Sequence, residues 1–142
     1  MQLRELMTRD AEVVSPDASL QEAAQCMRDL DVGLIPICDG GRVIGMLTDR
    51  DITVRATAEG SNPKKTKVKE VMTEDVVSCY EDEDAADAAR LMEDHQIRRL
   101  IILNRDDRLA GIVSLGDLAT HTGTEHLAGE ALEHVSQPGR SD

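Results

Sequence analysis

Residues 45–51 read GMLTDRD, and residues 111–117 read GIVSLGD. Both run glycine, two apolar residues, a hydroxyl residue, two variable residues and an aspartate. Working outward from this pair shows that the whole chain is doubled. At an offset of 65 residues Glu5, Met7, Thr8 and Asp10 fall on Glu70, Met72, Thr73 and Asp75. Asp17, Ala23, Ala24, Met27 and Asp29 fall on Asp82, Ala88, Ala89, Met92 and Asp94. One inserted turn residue moves the offset to 66, and Arg42, Gly45 and Asp51 meet Arg108, Gly111 and Asp117. Identities in register, with apolar positions matching between them, mark a tandem duplication of a unit of about 50 residues.

Each copy carries the same element signals. A short apolar run (Val13-Val14, Val76-Val77) follows Met-Thr and predicts a strand. Ser19 with Glu22 forms a capping-box pattern and Asp84 is an N-cap in the second copy. Leu20, Ala23, Ala24, Met27 and Leu30 recur at helical spacing, repeated by Ala85, Ala88, Ala89 and Met92, and read as core. Two strands around a tight turn follow: GLIPIC and RVIGMLT about Asp39-Gly40-Gly41, then RLIIL and RLAGIVS about Asn104 to Asp107. Their continuous apolarity predicts burial on both faces. A last helix follows each opening phrase. The expected fold is α/β, with each unit strand–helix–strand–strand–helix. The boundaries are residues 1–58 for the first repeat with an N-terminal helix, 59–66 for a polar linker, 67–121 for the second repeat and 122–142 for a C-terminal helix and frayed tail. The lysines at 64–69 read as part of a solvated linker.

Composition narrows the function classes. Among 142 residues there is no Trp, no Phe and one Tyr, so the core is aliphatic. A net charge of −12 argues against a nucleic-acid partner, which calls for a basic stripe. The opening MQLRELMTRD has no apolar stretch of signal-peptide length, and no run approaches the roughly 18 apolar residues of a membrane span. Cys26, Cys38 and Cys79 are odd in number and lack CxxC spacing, which favours free thiols in a reducing cytoplasm. Spacing alone leaves a Cys26–Cys38 or Cys38–Cys79 bridge open.

The repeated phrase has two readings. Thr48 and Asp51, like Ser114 and Asp117, have the N-cap and N3 spacing of a capping box, which accounts for both copies without any ligand. The same geometry serves a nucleotide. A helix start favours phosphate, the hydroxyl donates to it, and a carboxylate one turn in accepts from ribose hydroxyls. The glycine then lets a base or another backbone approach the strand.

The duplicated unit, its element order and the G-h-h-[ST]-x-x-D phrase resemble a tandem pair of CBS domains, a Bateman module. The segment MRDLDVGLIPICDGGRVIGMLTDRDI is similar to small stand-alone bacterial CBS pairs of the hypoxic-response type. The resemblance spans about Leu3 to Ala119. It implies pseudo-twofold packing of the repeats, with clefts between them that take an adenosine-type ligand: AMP, ADP, ATP or S-adenosylmethionine. Asp51 and Asp117 would then hold ribose, and Thr48 and Ser114 phosphate. Val14, Ile35 and Pro36, with Cys79, Leu100 and Ile101, would wall the base, and Arg98 or Arg99 would serve phosphate. The copies differ where Asp49-Arg50 faces Leu115-Gly116 and Gly33-Leu34 faces Arg98-Arg99, so the two sites are not equivalent. Arg50 is a phosphate candidate in the first, opposed by Asp49.

The resemblance further implies a non-catalytic sensor of the stress-response kind with no obligatory cofactor, a homodimer acting on a partner protein; the acidic composition without a targeting segment suggests the cytoplasm. The rival reading is a ligand-free interaction dimer, with a C-terminal metal site as a variant. His126, Glu130 and His134 stand at i, i+4 and i+8, near His121, with a solvated polar face as the simpler account. Tyr80 is a candidate to stack on a base, or else an edge residue.

Overall fold

A computed structural model describes residues 1–120 and 125–135 of the protein, so the tail at 137–142 and His121 lie outside the described residues. The elements run α1 (Leu20–Leu30), β1 (Leu34–Asp39), β2 (Arg42–Thr48), α2 (Asp49–Asp51), β3 (Ser78–Tyr80), α3 (Ala85–His95), β4 (Arg99–Leu103), β5 (Leu109–Ser114), α4 (Leu115–Thr120) and α5 (Glu125–Val135). The expected N-terminal helix is one 3-10 turn, Leu3–Glu5, matched by Val68–Glu70 before the second copy.

Local chemistry places most of these elements. Ser19 Oγ accepts from the Glu22 amide at 3.1 Å and opens α1. Asp84 caps α3 by accepting from the Ala86 amide, while Asp87 reaches back to the Asp84 amide at 3.2 Å. Both helices end on a left-handed residue, Asp31 and Gln96. The β1–β2 hairpin turns through Gly40 and Gly41, both at positive φ, as a two-residue hairpin of primed type requires. The longer β4–β5 turn is built on Asn104, whose Oδ1 accepts from the amides of Asp106 and Arg108.

Three expectations need adjusting. The first strand of copy one is a single bridge, Val14 to Ile37, beside the two-stranded β1–β2 sheet. In copy two it lies at Ser78–Tyr80, beyond Val76-Val77, because the small Cys79 seats in the core while Val77 only packs against it. β1 and β4 bury three successive residues each, but β2 alternates between buried and more exposed positions, so it covers the core with one face. The last helix of copy one makes one α turn and continues as a π-helix over Ile52–Thr57, whereas α4 in copy two is α-helical.

The chain folds as two compact units, Glu12–Val76 and Met1–Ala11 with the chain from Val77 onward. The opening segment of each copy therefore completes the unit of the other. In the first unit the amides of Leu20, Val68 and Lys69 donate to the carbonyls of Thr66, Ala18 and Pro16 (3.0, 2.8 and 3.1 Å). In the second, the amides of Ala85, Leu3 and Arg4 donate to Met1, Glu83 and Glu81, each at 2.9 Å. These are the same bonds at an offset of 65. They occupy the orphan first amides of α1 and α3, at Leu20 and Ala85, and of the two 3-10 turns. The linker is part of this cap: the Gln21 amide donates to the Pro63 carbonyl, and Lys67 and Lys69 both pair with Asp17. The lysines are thus more than a solvated run, and Lys69 beside it holds the Asp17 carboxyl below its usual range.

Each exchanged segment also pairs with a strand. Thr8 and Ile112 exchange amide–carbonyl bonds (2.8 and 3.1 Å), as do Thr73 and Met46 (2.8 and 2.9 Å). The glycine of the repeated phrase permits this approach. A Cβ at Gly111 would stand 2.5 Å from the Thr8 carbonyl oxygen, and one at Gly45 would stand 2.6 Å from Met72 Sδ and 3.0 Å from the Thr73 oxygen. Behind the pairing, each unit buries its own aliphatic core. Ala88, Ala89 and Met92 lie in one, and Ala23 and Met27 in the other, as their spacing predicts, whereas Ala24 and Leu30, expected in the same core, are exposed because the buried stripe of α1 runs through Leu20, Ala23 and Met27. Gly111→Ala should therefore cost about 1–3 kcal/mol in urea unfolding and expose the Thr8 amide to hydrogen exchange. A melt unchanged from the parent protein would show that the segment does not dock there.

Candidate functional site

The repeated phrase folds alike in both units. Thr48 ends β2 and caps α2: its Oγ1 accepts from the Asp51 amide, and Asp51 Oδ2 accepts from the Thr48 amide, both at 3.0 Å. Ser114 ends β5 and repeats the pair with Asp117, at 3.1 and 2.8 Å. The capping box is thus formed in both copies, and each hydroxyl keeps its own proton to donate.

The two acids differ in surroundings. Asp51 is 9 % exposed. Its carboxylate also accepts from Thr73 Oγ1, 3.3 Å from either oxygen, and stands 3.8 Å from Arg55 Nε. Arg55 in turn donates to the carbonyls of Val71 and Met72. Asp51 therefore ties the exchanged 67–73 segment to the helix start, and ribose would compete with Thr73 for it. Neither Thr73 nor Arg55 is part of the phrase. The recurrence of Thr after Met in both copies was the available signal. Asp117 is partly exposed.

Several expected wall residues are buried. Ile35, Cys79 and Leu100 lie in the two cores, Pro36 and Ile101 are buried, and the Val14 amide donates to the Pro36 carbonyl at 3.2 Å. All three cysteines are free thiols. Burial, with the Glu83 carboxylate beside it, pushes the Cys79 thiol up to about 12. Tyr80 is engaged at the surface: its hydroxyl donates to Asp107 at 2.8 Å and Arg105 lies 4.2 Å over its ring. That contact favours the edge-residue reading over stacking on a base. His126, Glu130 and His134 do not converge. His134 Nδ1 lies 2.9 Å from the Glu130 carbonyl and 3.8 Å from Glu93, and no three His, Cys, Asp or Glu side chains gather for a metal among the described residues.

Arg98, Arg99 and Ser114 do come together. They line a pocket of about 660 Å³ in the second unit, floored by Leu115 and Gly116 and walled by Ala128, Gly129 and Leu132 of α5. The volume suits a small organic ligand. Pairing of Arg99 with Ser114 in the β4–β5 ladder, and the Leu115 amide donating to the Arg98 carbonyl at 2.8 Å, set the three side by side. The equivalent place in the first unit is different. The Asp49 amide donates to the Gly33 carbonyl at 3.0 Å, and the Asp49 carboxylate lies over the glycine, 3.0 Å from where a Cβ would be. Arg50 is exposed, and its amide donates to that same carboxylate. Leu115 and Gly116 stood out in the sequence only as a difference between the copies, and Ala128 and Gly129 of the α5 wall did not; a glycine inside an otherwise good helix was the one signal.

Two helix-and-sheet units related by duplication, each with its hydroxyl–acid box at a strand-to-helix junction, define a tandem-repeat α/β module. The chain belongs to the CBS domain family, whose model matches residues 3–56 and 68–122. It is 44% identical over 134 residues to the CBS domain-containing protein YhcV of Bacillus subtilis, covering 94% of each chain. It is 33% identical over 136 residues to hypoxic response protein 1 of Mycobacterium tuberculosis, covering 95% of this chain and 94% of that one. The crystal structure of Hypoxic Response Protein I, with two coordinated zinc ions, superposes with a TM-score of 0.79 at 34% identity, over 85% of this chain and 98% of that one. The CBS domain pair of MJ0100, solved with 5′-methylthioadenosine and S-adenosyl-L-methionine, gives 0.74 at 25% identity, over 84% and 97%.

Two outcomes are expected. Asp51→Ala removes a cap and charged hydrogen bonds together and should lower stability by about 2–4 kcal/mol in urea unfolding; a change below about 0.5 kcal/mol would refute the tie to Thr73. Cys79 should resist a disulfide reagent at pH 8 in the native protein and react once it is unfolded in urea, whereas prompt native labelling would contradict its burial.

Proposed function

We propose that this protein is a regulatory CBS pair that binds an adenosine-type ligand and passes its occupancy to a partner protein. The observation that carries the reading is the pocket that collects Arg98, Arg99 and Ser114, the residues named from sequence for phosphate. The MJ0100 pair, solved with adenosine compounds, supports the ligand class. YhcV and hypoxic response protein 1 are of nearly this chain's length, which supports a module that acts between molecules and has no catalytic role. We take it to work as a cytoplasmic homodimer. No described helix is long and apolar enough to cross a membrane.

Asp117 is the ribose ligand in this reading and Ser114 the phosphate donor. Asp51 and Thr48 stand in the equivalent places of the first unit, where Asp51 already holds Thr73. Binding shifts the population of conformers, and its effect is bounded by the ligand's differential affinity for them. Calorimetry against AMP, ADP, ATP and S-adenosylmethionine tests the reading. At a hundredfold excess over the dissociation constant the bound member should stabilise the fold by about 2.7 kcal/mol, and Asp117→Ala should abolish that gain. A panel with no heat and no thermal shift would favour the ligand-free interaction module.

A further inference from the structure

We infer that Met72 is a modification site: a hydroperoxide oxidises its thioether, and the resulting sulfoxide undocks the exchanged 71–73 segment from β2 in the first unit alone.

The sulfur sits where the docking is tightest. A Cβ at Gly45 would stand 2.6 Å from Met72 Sδ and 3.1 Å from Met72 Cγ, so the thioether lies on the bare backbone of β2. The polar contacts that hold the segment surround it. Thr73 and Met46 exchange two backbone bonds, and Thr73 Oγ1 donates to Asp51. Arg55 Nη1 donates to the carbonyls of Val71 and Met72 at 3.4 and 3.3 Å. The amides of Met46 and Thr73 are thus committed to each other. A sulfoxide brings a strong acceptor and a new chiral centre into this seam. Its oxygen either stays unpaired against the strand or draws a donor away from a bond already made, and each course weakens the docking.

The second copy supplies the contrast. Met7 takes the same place on Gly111, with Sδ and Cγ each 3.1 Å from where a Cβ would be. Met7 is 8% exposed, whereas Met72 is half-buried at the edge of its core. Solvent therefore reaches one sulfur of the duplicated pair and not its twin. Met27 and Met92 are buried in the cores. Met46 is half-buried, but successive strand residues point to opposite faces, so its side chain leaves β2 on the face away from Met72. The cysteines are poor competitors for the oxidant. Burial pushes the thiols of Cys26, Cys38 and Cys79 up, and each carries little of the reactive thiolate near neutral pH.

The step balances with hydrogen peroxide as the oxidant. A sulfur lone pair attacks one peroxide oxygen and the O–O bond breaks. Sulfur is oxidised by two electrons, and the departing hydroxide takes the proton of the transferred oxygen and leaves as water. Methionine sulfoxide reductase reverses the step with a dithiol, which is oxidised to a disulfide as the oxygen leaves in water. While the segment is undocked, Thr73 is withdrawn from the Asp51 carboxylate, which keeps its box with Thr48 and the 3.8 Å approach of Arg55. An oxidative signal thereby reaches the first repeated phrase and spares the second.

The experiment treats the full chain with hydrogen peroxide and reads peptide mass spectra and amide hydrogen exchange. Met72 should gain an oxygen at least tenfold faster than Met7, Met27 or Met92. The Met46 and Thr73 amides should then exchange at least tenfold faster, with Thr8 and Ile112 unchanged, and reductase with dithiothreitol should restore the parent rates. Met72→Leu, close in volume, should keep the melting temperature and lose the exchange response to peroxide. Met46→Leu should keep that response. The inference is overturned if Met72 is oxidised no faster than Met7, if oxidised Met72 leaves exchange at Met46 and Thr73 unchanged, or if the response survives in Met72→Leu.

Discussion

Each unit of this protein depends on a pair of backbone hydrogen bonds made across a glycine. Thr8 reaches Ile112 beside Gly111, and Thr73 reaches Met46 beside Gly45. A side chain at either glycine would drive the two backbones apart. Because the docked segment comes from the opposite copy, each repeat caps its helix start only in part with its own Ser19 or Asp84 and leaves the first helical amide and a strand edge to the other. The same exchange delivers Thr73 to Asp51, so the acid of the first phrase already holds a protein partner.

The two copies share this strand-to-helix junction. Their capping boxes agree to within a few tenths of an ångström, yet their surroundings have diverged. One unit places a carboxylate over a glycine, and the other places Arg98 and Arg99 beside an open pocket. Duplication supplied two copies of the same strand-to-helix junction, and a few differences in sequence gave them different charge and volume. Coulombic preference falls off within about 10 Å at ordinary ionic strength, so the choice is made by these local groups and not by the net charge of −12.

Much of this fold was legible in the sequence, because the signals were local. Gly40-Gly41 fixes its turn by φ alone, Ser19 and Asp84 announce helix starts, and Ala23, Met27, Ala88, Ala89 and Met92 mark the buried stripe. The capping box at Thr48 and Ser114 followed from spacing. What was not legible depends on tertiary partners. The shift of β3 to Ser78–Tyr80 is decided by which side chain the core accepts. Segment exchange leaves no trace in periodicity, since either copy would offer the same bonds. Tyr80 is held by Arg105 and Asp107 from a turn more than twenty residues away. Ile35, Cys79 and Leu100 lie in the two cores, and an apolar strand residue carries no label for the face it serves.

The account's central claim is that one copy of the repeated junction has become a phosphate site and the other a structural tie. A crystal structure of the protein grown with AMP examines this most directly. The account predicts electron density for one nucleotide per chain, with its phosphate between Arg98, Arg99 and Ser114 and the Asp51–Thr73 bond intact. A nucleotide lodged with its phosphate at Gly33 and Asp49, or equal occupancy in both units, would contradict it.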